Sequence, residues 1–89
     1  MYKVLIKNYI ANLSPIQVKQ FALSKNVELT EEEANYFTSF VKKNWEILLY
    51  QDPSYLFEEV KKHVRSDVYE KALYEYQQAK QKYQSFLYQ

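Results

Sequence analysis

Apolar residues recur along this chain at steps of three and four, and polar residues fall between them where helices start and stop. Ala34, Phe37, Val41, Trp45 and Leu48 keep this spacing, and Leu56, Phe57, Val60 and Val64 repeat it further on. Such steps place one apolar stripe on one face of an α-helix. Ile16, Val18, Phe21 and Ala22 predict another helix upstream. Val4, Leu5, Tyr9, Ile10 and Leu13 predict a short first helix or an extended arm. The longest stripe runs from about Asp67 to the C-terminus, where Tyr69, Ala72, Tyr76, Ala79, Tyr83 and Phe86 alternate three- and four-residue steps, flanked by Leu73 and Leu87. That alternation is a heptad seam, shorter than the roughly three or four heptads of a coiled coil. It reads either as packing within one bundle or as a face shared with another chain.

The boundaries carry their own signals. Ser14-Pro15-Ile16-Gln17 sets a hydroxyl at a helix N-cap, proline at the first helical position and glutamine at the third. The hydroxyl accepts from an orphan backbone N–H, and the glutamine reaches back to the cap's own N–H. Thr30-Glu31-Glu32-Glu33 repeats the arrangement, with three carboxylates at the positive end of the helix dipole. Asp52-Pro53 predicts a third start, and Ser66-Asp67 a weaker fourth. Asn26 tolerates the left-handed conformation of a helix stop, which leaves Val27 and Leu29 as core anchors in a connector. No strand-length alternation intervenes. The expectation is an all-α fold, a compact bundle of four to five helices with a long C-terminal helix, forming a single helical domain over residues 1–89.

Composition narrows the chemistry. The 89 residues include no glycine, no cysteine and one histidine, His63. Without glycine there is no phosphate-cradling loop, dinucleotide fingerprint or nucleophile elbow. Without cysteine there is no thiolate nucleophile and no thiolate zinc site. Lys and Arg number 12 against 11 Asp and Glu, a balance unlike the basic excess of a nucleic-acid binder. Lysines interrupt the N-terminal apolar segment too often for a signal peptide, and no apolar run approaches the roughly 20 residues of a membrane span. Tyr2 stands where myristoylation needs glycine. A cytoplasmic protein with no membrane partner is expected.

Candidate sites are few. Glu59 and His63 have the i, i+4 spacing of two metal ligands on a helix, but a metal needs at least a third ligand from elsewhere. Glu31, Glu32 and Glu33 follow one another around a helix rather than converging, so dipole stabilisation explains them more simply than catalysis. The segment from Phe21 to Glu33 has helix-turn-helix spacing, yet it would aim those carboxylates at a polyanion. Lys61, Lys62 and Arg65 form a small basic patch, diluted by Glu58, Glu59 and Asp67. This patch supports the alternative expectation, a weak nucleic-acid-binding domain. Ten tyrosines are the surplus. Tyrosine is enriched at interfaces because it joins a large apolar area to a polar tip. Tyr69, Tyr74, Tyr76, Tyr83, Phe86 and Tyr88 therefore form the candidate interaction surface, with another protein or a second copy as partner. No catalytic residue, cofactor or metal is expected.

One segment also resembles a known group. Leu13-Ser14-Pro15, the pair Phe21-Ala22, the connector Asn26-Val27-Glu28-Leu29-Thr30, then Glu33-Ala34 and Lys43-Asn44 carry the resemblance. It is similar to small uncharacterised helical proteins of Bacillus-type bacteria that share a domain of unknown function. In these a Leu/Ile-Thr-Pro start, a Tyr-Ala pair and an Ile-x-Leu-Thr connector precede a helix and a Lys-Asn stop. Trp45 to Tyr50 departs from that pattern. The matching positions are caps and core positions, so the resemblance implies a small helical cytoplasmic protein and carries over no functional residue.

Overall fold

Five helices follow one another: α1 (Tyr2–Ala11), α2 (Pro15–Ser24), α3 (Glu31–Tyr50), α4 (Ser54–Val60) and α5 (Ser66–Leu87). The structure is a computed structural model that describes the backbone of residues 2–87 and the side chains of residues 3–82. Its fold class is all-α, with no strand among the described residues. The first segment, left open between helix and arm by its spacing, is helical.

Both capping boxes close as the spacing requires. The Gln17 N–H donates to Ser14 Oγ at 3.3 Å, and the Ser14 N–H donates to Gln17 Oε1 at 2.9 Å. At α3 the Glu33 N–H donates to Thr30 Oγ1 and the Thr30 N–H to Glu33 Oε1, both at 3.0 Å. Glu33 is only 5% exposed, so its carboxylate needs the bonds that the cap supplies. Asn26 ends α2 at φ 65°. Its N–H donates to the Leu23 carbonyl and the Val27 N–H to the Ala22 carbonyl, both at 2.9 Å. These are the two bonds of a Schellman stop, with asparagine standing where glycine is usual.

The start of α4 differs from expectation. Pro53 occupies the cap position, and no side chain caps the helix. Asp52 therefore stands one residue too early to serve as its N-cap. The helix also ends sooner than its apolar stripe. After Val60 the chain tightens, with the Lys62 N–H on the Glu59 carbonyl and the His63 N–H on the Val60 carbonyl, both at 3.0 Å. Val64 thus lies outside the helix.

The helices divide into two compact units, one up to Asp52 and one from Pro53 onward. In the first, α1 and α2 both pack on α3. Leu29, Ala34, Glu33 and Thr38 are buried there, and the Thr38 hydroxyl donates to the Ala34 carbonyl at 2.7 Å. Phe37, Val41, Trp45 and Leu48, the rest of the α3 stripe, are half-buried. In the second unit Phe57, Val60 and Val68 are buried.

Two ion pairs show how the first unit is laid out. Lys3, near the start of α1, meets Glu46 in the C-terminal half of α3 at 3.0 Å. Lys19, midway along α2, meets Glu31 in the first turn of α3 at 2.7 Å. At about 100° per residue, Glu31 and Glu46 stand only about 60° apart around the α3 axis. Lys3 of α1 and Lys19 of α2 consequently meet α3 near its opposite ends and on the same side.

Candidate functional site

The α5 seam starts inside the second unit. Tyr69 and Tyr76 are half-buried against Phe57, with ring centroids 6.5 and 5.1 Å away at interplanar angles of 66° and 45°. An edge-to-tilted cluster of this kind adds to plain area burial. Lysines cover the outer faces of these rings: Lys61 lies 5.2 Å from the Tyr69 centroid and Lys80 lies 5.6 Å from that of Tyr76. Ala72 is half-buried and Ala79 exposed. The first turns of the seam thus pack on α4. The side chains of Tyr83 and Phe86, and the whole of Tyr88, lie outside the described residues.

Tyr74 stands off the stripe and is 53% exposed. It borders a shallow surface depression with Asp67, Glu70 and Lys71. The Lys71 ammonium sits 5.6 Å from the Tyr74 ring centroid and 3.8 Å from Glu75. A ring flanked by a paired lysine offers an apolar face with a polar edge, the composition of an interface rim rather than of a reaction centre. Tyr55, at 59% exposure, is a second outward tyrosine of this unit.

The basic patch is neutralised at close range. Lys61 Nζ lies 3.1 Å from Glu58, and Lys62 Nζ lies 3.3 Å from Glu59. The hydrogen bond to Glu58, helped by its charge, holds the Lys61 ammonium above the usual lysine pKa. That pairing persists at neutral pH, and on the alkaline side it is lost as pH rises through the raised value. Arg65 is exposed in the linker before α5. His63 lies in the turn after α4, so it does not share a helix face with Glu59. Among the described residues no group of three or more His, Cys, Asp or Glu side chains could hold a metal ion. Nor is any described helix long and apolar enough to cross a membrane.

The exposure of large apolar side chains on α1 and α2 was not foreseen from the spacing. On α1, Val4, Leu5 and Tyr9 are 60–64% exposed, and on α2, Ile16, Phe21 and Leu23 are 56–68% exposed. No residue of α2 is buried. The same stretch is distinctive in charge: the first 27 residues contain four lysines, Lys3, Lys7, Lys19 and Lys25, and no carboxylate.

Comparison with known proteins finds no matching family model, no matching curated protein and no matching solved structure.

Proposed function

We propose that this chain is a small, non-catalytic, cytoplasmic interaction module that binds another protein or a second copy of itself through aromatic helix faces. The observation that carries this reading is the outward Tyr74 on α5, 53% exposed beside a stripe whose described tyrosines, Tyr69 and Tyr76, pack on Phe57. A large aromatic left outside a satisfied stripe costs apolar exposure, and burial against a partner recovers it. The pairing of Lys61 and Lys62 with Glu58 and Glu59 argues against a phosphate-binding role for the basic patch.

Size-exclusion chromatography with light scattering at low and moderate salt tests this. A mass near twice the monomer's 10.8 kDa, insensitive to salt and returned to monomer by Tyr74→Ala, is the expected result for self-pairing. A monomer at millimolar concentration rejects self-pairing and leaves the face to a different protein. Nucleic-acid binding would instead show a steep loss of affinity with salt.

A further inference from the structure

We draw no further inference here: the strongest candidate, the shallow depression on the outward face of α5 where Tyr74 stands beside Asp67, Glu70 and Lys71, belongs to the surface already described, and nothing in the structure shows what covers it.

Discussion

Asn26 shows how one side chain can stand in for a missing residue type. A chain with no glycine still has to stop α2 sharply enough to reach the Thr30 cap, and it does so with φ 65° at an asparagine. The left-handed region costs other L-residues roughly 1–2 kcal/mol, and asparagine tolerates it better. Asn26→Ala is therefore expected to destabilise the protein by about 1 kcal/mol, and Asn26→Gly to leave stability within about 0.5 kcal/mol, in urea denaturation. Thr30 is the complementary case. Thr30→Ala removes the acceptor for the Glu33 N–H and should cost about 1 kcal/mol. Glu33→Gln keeps an oxygen for the Thr30 N–H, and so should cost less than Glu33→Ala in the same assay.

At the scale of elements, starts and stops were more legible than lengths. Ser14, Thr30 and Asn26 act locally, through bonds to residues within one turn, and local bonds can be read from a local sequence. The end of α4 was not legible. Its apolar stripe continues to Val64, but the turn at Lys61–His63 breaks the helix before that position. Which side of each helix faces outward was not legible either. The same three- and four-residue steps fit a face packed inside the fold and a face left open. The distinction comes from ion pairs such as Lys3–Glu46 and Lys19–Glu31, which join residues far apart in sequence. It was this ambiguity that hid Val4, Leu5 and Tyr9. Phe57 is where α4 and α5 depend on each other most directly. Phe57→Ala leaves Tyr69 and Tyr76 without the ring they pack on, and a loss of about 3–5 kcal/mol is expected. Near-ultraviolet circular dichroism of the tyrosines should fall with it.

For the whole molecule, the balance of charge conceals a division. The near-neutral total arises from a carboxylate-free stretch of 27 residues followed by one that contains all 11 acids. Overall charge governs solubility, whereas local charge governs what a surface attracts. The small set of fully buried apolar residues, five among those described, fits the limits of a short chain. Stability in such a chain leans on caps and aromatic contacts as much as on a core. Combining Thr30→Ala with Phe57→Ala, which lie in different units, should give nearly additive losses in urea denaturation.

The stop at the end of α2 has a chemical consequence as well as a conformational one. Asparagines age when the backbone nitrogen of the following residue attacks the side-chain amide and closes a cyclic imide. At Asn26 that nitrogen belongs to Val27, and its hydrogen is committed to the Ala22 carbonyl. The branched valine side chain crowds the same approach. The bond that terminates the helix therefore also shields its own asparagine from deamidation. On prolonged incubation at mildly alkaline pH, peptide mass spectrometry should find Asn26 intact in the folded protein and converted once urea has released the cap.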